Sequence, residues 1–208
     1  MKVREITDCL RYPLYVIFHP AAGFYALRRE NKGRVWMIVL LLFLFWLSIA
    51  VMNQYSGVVV NDSHPMSMNS LTDLAGIVGI FVLFSAANWS VACLMDGEGR
   101  FVDIAMVTAY SLIPMILVFI PATILSNFFV ADEAAFYYMI VSISIIWFAV
   151  LLIVGIMTVH DYTVLKTVAT IVLTVLSMAI ILFLLIMFTM ILQNFYTFIF
   201  SIYVELLY

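Results

Sequence analysis

The densest group of side chains able to do chemistry is Asp96-Gly97-Glu98-Gly99-Arg100, followed closely by Asp103. Three carboxylates so near one another could draw in a cation. A calcium ion takes about six to eight oxygen ligands. This stretch alone supplies too few, so no metal ligand is assigned. The two glycines suit a tight turn with positive φ. The reading is a turn whose residues Asp96, Gly97, Glu98, Gly99 and Arg100 dock another protein. His160-Asp161 is a second candidate, since a carboxylate beside an imidazole can orient a proton donor. Adjacent pairs of this kind are, however, ordinary in loops. Two cysteines, Cys9 and Cys93, are too few for a disulfide framework and are read as reduced thiols. The zinc-protease HExxH pattern, the phosphate-binding P-loop and the GxSxG elbow are all absent from the chain. No catalytic residue and no cofactor is therefore assigned, and a non-enzyme is expected.

The medium around these residues follows from composition. Of 208 residues, 66% are hydrophobic and 10% charged, and the mean hydropathy is +1.19. A soluble domain runs about 45–50% apolar and about 25% charged. The chain belongs with membrane proteins. Its formal net charge of −3 provides no basic field for DNA or RNA, so no nucleic-acid partner is expected.

A membrane helix needs about 20 predominantly apolar residues to cross a hydrocarbon core of about 30 Å. Five runs qualify, at 35–53, 71–95, 104–126, 136–159 and 168–192. The expected fold is all-α and polytopic: a five-helix transmembrane domain over 35–192, an amphipathic segment over 1–34 and an aromatic tail over 193–208. The tail reads as an extension of the fifth helix that bends onto the outer interface. All nine cations fall in segments that five crossings place on one side: seven before the first span, then Arg100, then Lys166. The positive-inside rule makes that side the cytoplasm, with the N-terminus inside and the C-terminus outside.

Residues 1–34 carry Val3, Ile6, Leu10, Leu14 and Ile17 at helical spacing, which predicts a helix lying at the cytoplasmic interface. Pro20 suits the first turn of a second helix reaching about Asn31, and Gly33 suits its C-terminal stop. Arg28, Arg29, Lys32 and Arg34 are placed to anchor on lipid phosphates, each contributing about 1 kcal/mol.

Polar groups within spans are costly and therefore informative. Asp73 sits at the edge of the second span, within reach of water. The Asn88 amide is expected to bond across helices, and Trp89 follows it. Pro114 and Pro121 are expected to kink the third span. Small residues at Ala75, Gly79 and Ser85–Ala87 allow close helix approach, which makes the second span the expected centre of the bundle.

The stretch Asn88-Trp89, then Leu94-Met95-Asp96-Gly97-Glu98-Gly99-Arg100-Phe101, then Tyr110-Ser111-Leu112-Ile113-Pro114 resembles the bacterial branch of the Yip-one domain family, named for Ypt/Rab-interacting proteins. His19-Pro20-Ala21-Ala22-Gly23-Phe24-Tyr25 and His160-Asp161-Tyr162 are also similar to that branch. Asp73-Leu74-Ala75-Gly76-Ile77 is similar to an Asp-Leu-x-Gly-Pro signature, with Ile77 where proline would stand. The resemblance implies five spans with a cytoplasmic N-terminus. Eukaryotic members bind Rab GTPases through a longer N-terminal region. Only 34 residues precede the first span here, so Rab binding is not expected to carry over. Bacterial relatives are often found beside carbohydrate transporter components. The resemblance thus implies an accessory subunit of the bacterial cell membrane, with the lipid bilayer and another membrane protein as partners. On that reading Asn88, Trp89, Tyr110 and Pro114 hold the helices that present the docking turn. The alternative is a small transporter, channel or lipid-moving protein, for which Asn88 and the proline-interrupted third span would line a polar path.

Overall fold

The computed structural model describes residues 12–30, 33–61 and 69–207. Every regular element among them is helical. Residues 12–18 form α1. There follow α2 (Pro20–Arg29), α3 (Val35–Tyr55), α4 (Ser70–Leu94), α5 (Phe101–Ser111), α6 (Ile113–Ser126), a 3-10 turn (Ala131–Glu133), α7 (Ala134–His160) and α8 (Val164–Leu207). Five helical segments are long and apolar enough to cross a membrane, with α5 and α6 together making the third. The protein is an all-α, polytopic membrane protein.

Local chemistry sets the element ends. The Asn69 side chain caps α4, its Oδ1 accepting from the backbone N–H of Leu71 at 3.1 Å and of Thr72 at 3.4 Å. Pro20 stands at the first turn of α2, where its missing N–H costs nothing. The third span breaks at Leu112, whose N–H bonds the Ala109 carbonyl at 3.2 Å. Pro114 explains the position of the break: its ring removes the N–H that a continuous helix would direct at Tyr110. Pro121 is accommodated inside α6.

The centre of the bundle differs from the sequence expectation. It is the third span, not the second. Every residue of α5 from Asp103 to Ser111 is buried. In α4, Ala75, Gly76 and Gly79 are exposed, and a Cβ added at Gly76 or Gly79 would meet nothing within 4 Å. Small residues permit close approach without causing it. α4 instead packs through Ser85, Ala87 and Asn88, which are buried.

The N-terminal segment also departs from expectation. Its Val3, Ile6 and Leu10 lie outside the described residues. Leu14 is exposed, whereas Val16 and Ile17 are buried. α2 buries Gly23, Phe24, Ala26 and Leu27, and its ring at Phe24 packs against Gly155 of α7. α2 ends at Arg29, with Glu30 as its cap, so Gly33 is not the stop. Gly33 is needed for space: a Cβ there would lie 2.5 Å from the Met106 sulfur and 2.9 Å from Leu27 Cγ.

The far ends of α3 and α6 are tied together. The backbone N–H of Gly57 donates to Ser126 Oγ at 2.9 Å, and Asn127 Nδ2 donates to the Tyr55 carbonyl at 2.9 Å. Trp46 Nε1 donates to the Ser70 carbonyl at 2.7 Å, joining α3 to the start of α4. The tail is part of α8, which runs unbroken through 44 residues.

A Cβ at Gly155 would overlap Val107 Cγ1 and come within 3.2 Å of the Phe24 ring. Gly155→Val is therefore expected to lose about 1–3 kcal/mol through overpacking. Gly79→Ala, facing open space, is expected to hold or gain up to about 1 kcal/mol from helix propensity. Melting midpoints of the two variants in one detergent check the contrast.

Candidate functional site

Two helices end side by side on the same backbone device. At the end of α4 the N–H of Gly97 returns to the Ala92 carbonyl at 2.8 Å, and at the end of α7 the N–H of Tyr162 returns to the Met157 carbonyl at 3.0 Å. Each closure requires a left-handed residue, and each uses an aspartate: Asp96 with φ 54° and Asp161 with φ 57°. Asp tolerates this conformation better than most residues. The expectation that the two turn glycines supply positive φ is corrected by this arrangement, because no described glycine has positive φ.

The glycines serve close approach instead. The imidazole of His160, buried at the end of α7, lies directly against the turn. A Cβ at Gly97 would sit 2.6 Å from His160 Nδ1 and 2.5 Å from the Tyr162 hydroxyl; one at Gly99 would sit 2.7 Å from His160 Cε1 and 2.5 Å from Val159 Cγ1. With no Cβ in the way, the N–H of Gly99 donates to His160 Nδ1 at 3.2 Å. The Tyr162 ring stacks on the imidazole, centroids 5.1 Å apart. Its hydroxyl donates to the Met95 carbonyl at 3.0 Å. Burial, then the nearby Asp96 carboxylate, raises the Tyr162 phenol above its ordinary value, which keeps it a donor. Lys166 Nζ stands 4.3 Å from the Tyr162 ring centroid.

Of the remaining turn residues, Glu98 accepts from Arg28 Nη2 at 2.9 Å, and Arg29 is 3.9 Å away. The Arg28 side chain is only 13% exposed, so it closes on the turn, whereas Arg29 remains half exposed. The Arg28 hydrogen bond holds the Glu98 carboxyl below its ordinary value of 4.5. Arg100 forks onto Asp103, with Nε to Oδ2 at 3.0 Å and Nη2 to Oδ1 at 3.2 Å. Asp103 also accepts from the Arg100 backbone N–H at 3.2 Å, capping the first turn of α5. Two of the three carboxylates in this stretch are thus committed to arginines. Arg34 caps α3 without a side-chain bond, and Lys32 lies outside the described residues.

The other singled-out residues are dispersed along the spans. Asn88 Nδ2 donates to Thr174 Oγ1 of α8 at 3.0 Å, while its Oδ1 and the nearby Ser85 Oγ have no hydrogen-bond partner among the described residues. Trp89 is exposed and meets Phe101 edge-on at 6.4 Å. Tyr110 is buried at the centre, edge-on to Tyr12 at 6.1 Å. Asp73 occupies the first turn of α4 at the opposite end.

Sequence reasoning assigned no role to two participants. Tyr12 of α1 donates to the Gly23 carbonyl at 2.6 Å, and burial, Glu30 and Tyr15 push its phenol up to about 12. Tyr162 is the other. Between α1–α2 and the end of α7 lies a groove of about 850 Å³ walled by Tyr12, Tyr15, Tyr25, Arg29, Asp161 and Tyr162. The aromatic residues flanking His19-Pro20 were the available signal.

Spanning helices joined at one end by a cap of glycines, a histidine and paired arginines define a polytopic helical membrane protein. The sequence model of the Yip1 domain matches residues 14–204, and the chain belongs to that family. No curated protein and no solved structure matches it.

Because the folded Glu98 value is depressed, its contribution is present above about pH 4.5 and is lost as pH falls through the folded value. Wild type is expected to lose more thermal stability than Glu98→Gln on going from about pH 6 to about pH 3. Equal losses would contradict the clasp. Gly99→Val is expected to lower the melting midpoint at both values, because the clash with His160 is independent of charge.

Proposed function

We propose that this protein is a non-enzymatic scaffold of the bacterial cell membrane that docks another membrane protein on its capped face. Within the family, that reading places it in the bacterial branch, as an accessory subunit to carbohydrate transporter components. In this proposal the cap is cytoplasmic and α8 ends outside. One observation carries it: the five described cations, Arg28, Arg29, Arg34, Arg100 and Lys166, all stand at the capped end, beside the exposed Asp96 and the tyrosine-lined groove. The positive-inside rule turns that gathering into an orientation.

The buried contacts under the turn make the platform stiff and leave its outer edge free. Gly97, Gly99 and His160 act from beneath; Asp96 and the groove wall face outward. Against a polar path through the bilayer stands the bond from Asn88 Nδ2 to Thr174, which ties this amide to the α4–α8 joint. The buried hydroxyls of Thr108, Ser111 and Thr123 likewise donate to carbonyls of their own helices.

The test is co-purification from mild detergent with Asp96→Asn, which removes the charge but still suits the left-handed turn, and with Tyr25→Ala, two variants that leave the clasp intact. Each is expected to lose the bound membrane protein several-fold while keeping the wild-type melting midpoint. Unchanged partner recovery from both variants would overturn the site. Labelling of a cysteine placed at Thr197 only from inside the cell would overturn the orientation.

A further inference from the structure

α4 and α8 are joined at the capped end and open at the other. The joint is polar. Asn88 Nδ2 donates to Thr174 Oγ1 at 3.0 Å, Thr170 Oγ1 donates to the Met95 sulfur at 3.4 Å, and Tyr162 donates to the Met95 carbonyl at 3.0 Å. Away from the cap, Gly76 and Gly79 face open space, and α8 is exposed on every side from Leu182 to Leu206. Between joint and opening lies a cavity of about 530 Å³. Four phenylalanines line it, Phe45, Phe81, Phe84 and Phe148, and its one hydroxyl, Thr108, is already bonded to the Ile104 carbonyl at 2.9 Å. Two of its wall residues are strongly exposed: Ile80 of α4 at 64% and Val175 of α8 at 59%. They mark its mouth, at the middle of two spanning helices.

We propose that this cleft binds the acyl chain of a phospholipid, entering between α4 and α8 from the leaflet opposite the cap. Water is a poor occupant, since it needs about two to four polar partners and the walls provide none uncommitted. An empty cavity of this size would forfeit packing comparable to the whole margin of a typical fold. The medium at the mouth is hydrocarbon, because Ile80 and Val175 lie within apolar spans. A flexible chain of methylenes fits an aromatic slot with no polar demand, and the Asn88–Thr174 joint sets the depth it reaches. This site is separate from the docking face and does not depend on it.

The experiment uses the full chain, purified from membranes in mild detergent and examined by native mass spectrometry. Wild type is expected to retain a phospholipid. Leu152→Trp, which fills the cavity, is expected to lower the retained fraction several-fold, whereas Val172→Trp, on the exposed side of α8, is expected to leave it unchanged. Should Leu152→Trp fail to fold, a photo-cross-linking residue at Leu112, a buried wall residue that bulk lipid does not reach, gives a second reading in native membranes. A cross-link to phospholipid supports the assignment. A cross-link to a second copy or another protein overturns it, as does wild-type protein that is folded and carries no lipid, or equal retention by the two tryptophan variants.

Discussion

The imidazole of His160 is where three parts of the chain meet. Nδ1 accepts the Gly99 N–H, so in the neutral ring the proton resides on Nε2. That atom is buried without a hydrogen-bond partner among the described residues. One ring face takes Tyr162 and the other edge is filled by the Gly97–Gly99 turn. Everything else at the capped end follows from this contact. It sets the turn over the end of α7, which brings Met95 to the Tyr162 hydroxyl and Glu98 to Arg28. Arg28 in turn fixes α2, whose Phe24 reaches into the bundle beside Gly155. With its carboxylate exposed, the Arg28–Glu98 pair is worth little alone. Its part is to hold register between elements that packing has already brought together.

A membrane bundle has little hydrophobic force between its helices, because lipid tails are as apolar as leucine. Close packing and backbone satisfaction must do the work instead. α5 achieves both. Its buried residues touch neighbours all round, and the hydroxyls of Thr108 and Ser111 donate to the carbonyls of Ile104 and Val107. Pro114 then ends this helix where a carbonyl would otherwise lack its partner. α4 meets its neighbours only along the face carrying Ser85, Ala87 and Asn88, and leaves the Gly76–Gly79 face bare.

The number and order of spans were legible because each crossing must be apolar over about 20 residues, a local property of sequence. The family was legible through the turn and the Tyr110–Pro114 stretch. Which span sits at the centre was not, since lipid-facing and protein-facing residues have the same hydropathy. Ala75 and Gly79 satisfy the small-residue pattern yet face outward. The role of Gly97 and Gly99 was misread for a related reason. A glycine can signal either a special φ or a missing Cβ, and only the positions of His160 and Val159, some 60 residues on, separate the two. The partner of Arg28 lies 70 residues away, so its charge gave no hint that it would turn from lipid toward Glu98.

The two ends of α8 obey opposite rules. At the cap, polar side chains are paired across elements and the chain is pinned. At the other end α8 continues alone. Its 44 residues make about 66 Å of helix at 1.5 Å per residue, roughly twice the hydrocarbon thickness. Length alone forces the helix to cross at a steep tilt or to leave the hydrocarbon. Its composition changes accordingly: Thr189, Gln193, Thr197, Ser201 and Glu205 recur every fourth residue. At about 100° per residue each step turns the position by about 40°, so the five spiral slowly across about 160° of the helix surface, leaving Phe195, Ile199 and Ile202 on the other side. The polar residues of the span proper, Thr167, Thr170 and Thr174, are instead buried, and Thr174 and Thr170 are bonded to Asn88 of α4 and to its cap Met95, since lipid tails penalise polar groups that face them. An exposed polar stripe, by contrast, is tolerated only where one side of the helix has left the lipid interior, so the exposed run that begins at Thr189 fits a helix that leaves the hydrocarbon along its last turns.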